Sequence, residues 1–246
     1  MNFIGIIPAR YNSSRFTGKP LCDILGKPMI WHVYSSVLKW DKWDKVYIAT
    51  DDERIKDVCH QYSMPCIMTS PDHTDCLDRA GEVVDILYKK KEFADRFIIV
   101  QGDEPLFDTR TLDTDLSPSI VNFYTEVKDL SEIYDSNAVK VLVSKNQKAI
   151  YFSRYSVPYH DKKTKRCEDD PKIYKQIGVY SFSDEMLRIF LTLKSSYLEN
   201  MEGIGLNRLI ENGIDIYMRY TEYDSISVDT KEDKERIISL MKRSVL

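Results

Sequence analysis

The sequence is short of glycine, proline and histidine, with 9, 9 and 4 of them in 246 residues. No low-complexity linker or internal repeat divides it, which leaves one large domain or one domain with an inserted lobe. No apolar run approaches the about 20 residues of a membrane span, and the chain enters its first strand pattern without a charged-then-apolar leader. A soluble, cytoplasmic protein without membrane insertion is expected. Excess positive charge is also missing. At a net charge of −4 the chain lacks the basic face that a nucleic-acid binder needs. The five cysteines (Cys22, Cys59, Cys66, Cys76, Cys167) are odd in number and scattered, with no CxxC and no histidine pair at zinc spacing. They read as reduced thiols serving as small apolar residues. No Ser-His-Asp or Cys-His arrangement is apparent.

Against this background the opening stretch stands out. Ile4-Gly5-Ile6-Ile7 is a short apolar run that predicts a buried strand, and "PARYNSSRFTGKPL" follows it. Arg10, Arg15 and Lys19 supply a planar fork and a mobile point charge, while serines and loop N–H groups add neutral donors. A basic loop in an acidic protein fits a small polyanion, held on an exposed loop at the carboxyl end of strand one. Downstream, strand and helix patterns alternate. A helix is expected near 28–39 and a strand at 46–50, and Asp51-Asp52 can cap a helix over 53–62. A short strand at 65–69, a helix over 77–91 and a strand at 97–100 follow. Crossovers of this length predict an α/β fold with a mostly parallel central sheet, whose ligands bind beyond the carboxyl strand ends. The stretch 138–154, the polar segment 160–172 and a strand at 177–182 read as an inserted lobe, roughly 138–205, within a single domain 1–246. Helices near 184–193 and 230–243 close the chain.

"VQGDEPLF", residues 100–107, is the second informative stretch. An aspartate at the end of a buried strand, before a turn, suits Mg²⁺ held against a triphosphate, because Mg²⁺ prefers hard carboxylate oxygens. A second carboxylate is then needed, and Asp229 in "SISVDTKED" is the best candidate, at the end of another apolar strand. Two readings stay open for Asp229: metal ligand, or N-cap of the last helix. Asp103 can likewise be read as a turn residue. A lone His32 on the first helix reads as structural. Trp31, Trp40 and Trp43 read as packing, and "KKKEF" at 89–93 as a solvated helix end.

Taken together, "PARYNSSRFTGKPL", "QGDEPL", "NAVKVL", "YFSRYSVP", "IGVYSF" and "VDTKEDKER" resemble the bacterial cytidylyltransferases that activate 3-deoxy-manno-octulosonate (Kdo), from about residue 2 to 243. That resemblance implies a Rossmann-like, three-layer nucleotide-diphospho-sugar transferase fold with a strand-rich dimerisation lobe, and a Mg²⁺-dependent homodimer. The implied reaction joins CTP to a 2-keto sugar acid, giving a CMP-sugar and pyrophosphate. Pro8, Ala9, Arg10, Ser14, Arg15 and Lys19 would embrace the nucleotide, with Asp78, Arg79 and Gln101 beside them. Arg10, Arg15, Lys19 and Asp103 would act on the reacting phosphates, and Asp103 and Asp229 would hold Mg²⁺. Gln101, Arg154, Gln176, Tyr180 and Glu202 would face the sugar acid. Alignment and charge neutralisation, not covalent catalysis, would lower the barrier.

Departures from the family pattern are equally informative. Where the family reads "H.SGT(D/E)R", this chain has His73-Thr74-Asp75-Cys76-Leu77-Asp78-Arg79. The family histidine of "HLGIY" is Gln176, and "LEHIE..EQLR" becomes "LENMEGIGLNR", with Gly205 and Leu206 in place of two polar sugar contacts. Glycines at 203 and 205 weaken a helix there by roughly 1 kcal/mol each. The chemistry reads as kept and the acceptor as altered, so that Kdo itself is expected to be a poor substrate. Gln176, a neutral donor and acceptor, would suit an amino or amide substituent. A nonulosonate, an amino-Kdo or a phosphonate acceptor, or a non-catalytic binding role, are the alternatives. The segment "KKTKRCEDDPK" at 162–172 reads as a polar loop or an arm reaching into a neighbouring subunit.

Overall fold

The computed structural model describes residues 1–12, 15–73, 75–159 and 172–243. The expected segment 162–171 and Ser14 lie outside the described residues. In the first half, β1 (Phe3–Pro8) leads through a small hairpin, β2 (Asp23–Ile24) and β3 (Lys27–Pro28), to α1 (Met29–Val37). Then come β4 (Lys45–Thr50), α2 (Glu53–Gln61), β5 (Cys66–Met68), α3 (Cys76–Lys89) and β6 (Arg96–Val100). These match the expected alternation closely. Asp52 caps α2 by accepting from the Arg54 N–H at 2.9 Å, and Asp75 caps α3 by accepting from the Leu77 N–H at 2.7 Å.

The second half contains β7 (Ile120–Glu126), α4 (Leu130–Tyr134), β8 (Lys140–Val143), β9 (Ala149–Ser153), β10 (Tyr174–Ser183), α5 (Asp184–Thr192), α6 (Tyr197–Glu202), α7 (Leu206–Glu211), β11 (Tyr217–Tyr220) and α8 (Lys231–Arg243). The main sheet has the order β11-β7-β10-β6-β1-β4-β5. Its strands are parallel except β10, which runs antiparallel to both β6 and β7. Side chains of α1 and α2 pack on one face of the sheet, and those of α3 and α5 on the other. The expected three-layer α/β architecture is present, and β6, buried at every residue, is its centre. No helix among the described residues is long and apolar enough to cross a membrane.

Four details differ from the sequence reading. First, β10 does not belong to a peripheral lobe: it lies in the middle of the sheet, and of the stretch 138–205 only the β8–β9 hairpin is added at its rim. Second, β7 and β11 fall outside the expected elements. Asn122 interrupts the apolar run of β7, yet its buried amide donates to the Ile177 carbonyl at 3.2 Å and the Val179 carbonyl at 2.7 Å, where β10 bulges away from β7. Third, the residues before Asp229 form no ladder strand. They run extended beside the 101–105 turn, where the Val228 N–H donates to the Asp103 carbonyl at 2.9 Å. Fourth, the expected helix "LENMEGIGLNR" at 198–208 is two short helices, α6 and α7, divided where Gly203 takes a left-handed φ of 62°. His32 donates from Nε2 to the Ile24 carbonyl at 2.7 Å, a structural role. Trp40 and Trp43 stack edge to face with centroids 4.8 Å apart, and Trp40 also meets Phe3.

Candidate active site

Beyond the carboxyl ends of β1 and β6 the chain forms a cleft of about 250 Å³, lined by residues 8–10, Arg15, Lys19, Asp75, Cys76, Arg79, the 101–103 turn, Asn137, Arg154 and Asp229, among others. The loop after β1 and the turn after β6 can share this space because Gly102 has no side chain. A Cβ there would stand 2.3 Å from the Pro8 carbonyl oxygen. Two smaller compartments adjoin the cleft through Gln101 and Val139, one of about 180 Å³ under β10 and one of about 80 Å³ toward α7.

At the floor of the cleft Lys19 donates to Asp103 at 2.8 Å and to Asp229 at 3.0 Å. Arg15 donates to the same Asp229 oxygen at 3.0 Å and with its other terminal nitrogen to Asn137. The exposed loop expected from its polarity is not found throughout: Lys19 is only 8% accessible, because the 3₁₀ turn Lys19–Leu21 points it inward. Burial alone would push the Lys19 ammonium down, but the two carboxylates more than offset this and hold its pKa above the usual lysine value. Asp229 is not the cap of α8. Thr230 and Asp233 do that work reciprocally: Asp233 Oδ2 accepts from the Thr230 N–H at 2.8 Å, and its own N–H donates to Thr230 Oγ1 at 3.2 Å. The Asp229 carboxylate is thereby left facing Lys19 and Arg15. Asp103 Oδ1 is buried without a hydrogen-bond partner among the described residues. An orphaned carboxylate oxygen beside a second carboxylate is a donor set that fits a hard divalent cation.

Of the residues expected to hold a nucleotide, Pro8, Ala9, Arg10, Arg79 and Gln101 line the cleft. Arg79 is 3% accessible and donates to Thr69 Oγ1 at 2.5 Å, with Asp51 3.3 Å away. Asp78, in contrast, is turned to Arg208, which donates to it at 2.9 and 3.1 Å and also to Glu199 at 2.8 Å. Asp78 lines none of the three compartments, because its position on α3 points it at α7.

Among the residues expected to face a sugar acid, Gln101 donates to the Tyr180 hydroxyl at 2.8 Å. Burial raises the Tyr180 phenol well above its ordinary pKa, so it stays protonated and keeps its own O–H to donate. Gln176 reaches both smaller compartments, and its amide nitrogen is buried without a partner among the described residues. Arg154 is strung between the Glu202 carbonyl at 2.6 Å, the Ser136 carbonyl at 2.8 Å and the Gly203 carbonyl at 3.2 Å. Glu202 does not line the cleft. Its carboxylate accepts from Tyr151 at 2.8 Å, Ser153 at 2.9 Å and the Arg154 N–H at 2.8 Å, so it positions Arg154 instead. Asp75, Asn137 and Glu104 are cleft residues that the sequence reading assigned no role. Glu104 follows Asp103 and is buried at 5% accessibility; burial and the Asp103 charge push its carboxyl up to about 8. The signal for Asp75 was present in the departure "HTDCLDR".

Similarity to known proteins extends over nearly the whole chain. A family model described as cytidylyltransferase matches residues 4–216. The 3-deoxy-manno-octulosonate cytidylyltransferase of Nitratidesulfovibrio vulgaris (strain DP4) is 40% identical, over 98% of this chain and 96% of its own length. The 8-amino-3,8-dideoxy-manno-octulosonate cytidylyltransferase of Shewanella sp. (strain ANA-3) is 37% identical, over 95% of this chain and 96% of its own. A solved CMP:2-keto-3-deoxy-manno-octonic acid synthetase complexed with CTP superposes with a TM-score of 0.86 at 32% identity, covering 99% of this chain and 100% of that one.

Proposed function

The chain belongs to the cytidylyltransferase family, and from that premise we propose that its cleft transfers CMP from CTP to a 2-keto-3-deoxy sugar acid of the Kdo type, releasing pyrophosphate. The observation that supports it most is the meeting of Lys19, Arg15, Asp103 and Asp229 in one cleft that also opens onto Gln101, Tyr180 and Arg154. The anomeric hydroxyl of the acid attacks the α-phosphorus, and the bond from that phosphorus to the bridging oxygen of pyrophosphate breaks. Lys19 and Arg15 neutralise the charge that grows on the departing pyrophosphate, and Arg10 and Arg79 add positive potential on the nucleotide side. Asp103 and Asp229 would hold Mg²⁺, which when bound adds phosphate neutralisation and favours the ionised form of the attacking hydroxyl. Gln101 and Tyr180 orient the acceptor, and Arg154 offers its guanidinium to the acceptor carboxylate. A step that consumes CTP draws on the intracellular nucleotide pool, which agrees with a cytoplasmic site of action.

Homodimer formation belongs to the same reading. Large exposed apolar side chains recur along residues 134–201: Tyr134, Ile150, Tyr155, Tyr159, Tyr197 and Met201, at 54–85% accessibility. Light scattering on the purified chain should give twice the monomer mass. The function itself is tested by pyrophosphate release with CTP and Kdo-type acids. Release is expected to need both substrates and to stop on chelation of divalent metal. No release with any sugar acid would overturn the proposal.

A further inference from the structure

We infer that Asp75 selects an acceptor that carries an ammonium group in place of a sugar hydroxyl, an inference that rests on the sugar-acid reading above. Asp75 lines both the main cleft and the 80 Å³ compartment, where its neighbours include Arg154, Gln176, Tyr180 and Gly205. On this wall the chain has glycine at 205 and leucine at 206, neither of which offers a polar side chain. A Cβ at Gly205 would lie 2.8 and 2.9 Å from the two Asp75 carboxylate oxygens, so the carboxylate occupies the space in which a side chain at 205 would begin. The negative group on this wall is thus delivered from the N-terminus of α3 and not from α7, and Gly205 is what makes room for it.

The charge balance around Asp75 calls for a cation. One Asp75 oxygen accepts from the Leu77 N–H at 2.7 Å, and among the described residues the carboxylate is in no ion pair. The nearby guanidinium, Arg208, is already held by Asp78 at 2.9 Å and by Glu199 at 2.8 Å. Three carboxylates therefore share one arginine. Burial, followed by the Asp78 and Glu199 charges, pushes the Asp75 carboxyl up to about 6. A hydroxyl could donate to Asp75 but would leave its charge uncompensated, whereas an ammonium donates and neutralises. The buried, unpartnered Gln176 amide nitrogen on the same compartment is an independent sign that a polar ligand completes this wall. Arg154 lines the same compartment and suits the acid's carboxylate, so the compartment would read a zwitterion.

Asp75 also caps α3, and Asn caps a helix as well as Asp does. Asp75→Asn therefore removes the charge while keeping the cap, and thermal melting checks that the fold survives. With CTP saturating, kcat/KM is measured for Kdo and for 8-amino-3,8-dideoxy-manno-octulosonate in the full-length protein. The wild type should favour the amino acid by about tenfold or more, and Asp75→Asn should collapse that ratio by roughly 10- to 100-fold, chiefly through KM for the amino acceptor. Wild-type preference for Kdo, or an equal loss for both acceptors in the variant, overturns the inference and leaves the cytidylyltransferase reading standing. If neither acid is consumed, the sugar-acid reading falls and takes this inference with it.

Discussion

Replacing Lys19 with methionine removes the cation that sits between Asp103 and Asp229 while keeping much of its volume. In the native cleft the ammonium is 2.8 Å from one carboxylate and 3.0 Å from the other, and the residue is 8% accessible. Without it, two negative groups face each other across a partly dry gap. Breaking a fully buried ion pair costs about 3–5 kcal/mol. The two carboxylate side chains here are 19% and 12% accessible, which lets water relieve part of that cost, so about 2–3 kcal/mol is expected. For a chain of this size that corresponds to a fall in Tm of roughly 5–10 °C. Excess Mg²⁺ should recover more of this loss in the variant than it adds to the wild type, because a divalent ion replaces the missing charge. Turnover should fall by about 10²- to 10³-fold, the usual effect of removing one donor aimed at developing phosphate charge. Calorimetry with and without Mg²⁺, paired with a pyrophosphate-release assay, reads both effects. A variant that melts with the wild type refutes the buried-cation argument, and one that turns over at the wild-type rate refutes the phosphate grip.

Asp229→Asn should abolish metal-dependent turnover with only a small change in Tm, whereas Thr230→Ala should cost about 1 kcal/mol of stability and keep activity, since Thr230 carries the cap; a chemical-denaturation and activity comparison of the two variants would expose the reverse assignment. Asp75 predicts a pH effect of defined sign. Its carboxyl is raised from 3.8 to about 6 in the folded state by burial and by Asp78 and Glu199, against the opposing Leu77 N–H and Arg208. The folded protein then binds more protons than the unfolded chain between these values, so wild-type stability relative to Asp75→Asn should fall as pH rises from about 4 to about 6 and stay flat above, by about 1–3 kcal/mol in total. Parallel urea titrations of both proteins across that window measure the difference; a gap that widens in favour of the wild type with rising pH would contradict the burial argument.

Much of the framework follows from local sequence. The apolar run of β1, the alternation through β6 and the capping aspartates of α2 and α3 are short-range signals, and each reports the element in which it sits. Residue chemistry also pointed to Lys19, Arg15, Asp103 and Asp229, because phosphate and hard cations accept few side-chain types. What local sequence leaves open is where a charge ends up. The Lys19 contacts span 84 and 210 residues, and the Arg208 contact with Asp78 spans 130. Only the folding of the sheet decides that Lys19 is buried between carboxylates, that Thr230 frees Asp229 from capping, and that Asp78 pairs with Arg208 and Glu202 holds Arg154 instead of lining the cleft themselves. The central place of β10 has the same origin: its sequence reads as a strand, but its reversed direction and its pairing with β6 and β7 depend on partners remote in the chain. Asp75 shows the division most sharply. As the cap of α3 it acts locally, accepting from the Leu77 N–H two residues on. Its proposed role as a charge in the acceptor compartment depends on the carboxylate filling the space that a side chain at Gly205 would take, and a close approach between distant segments is a property of packing.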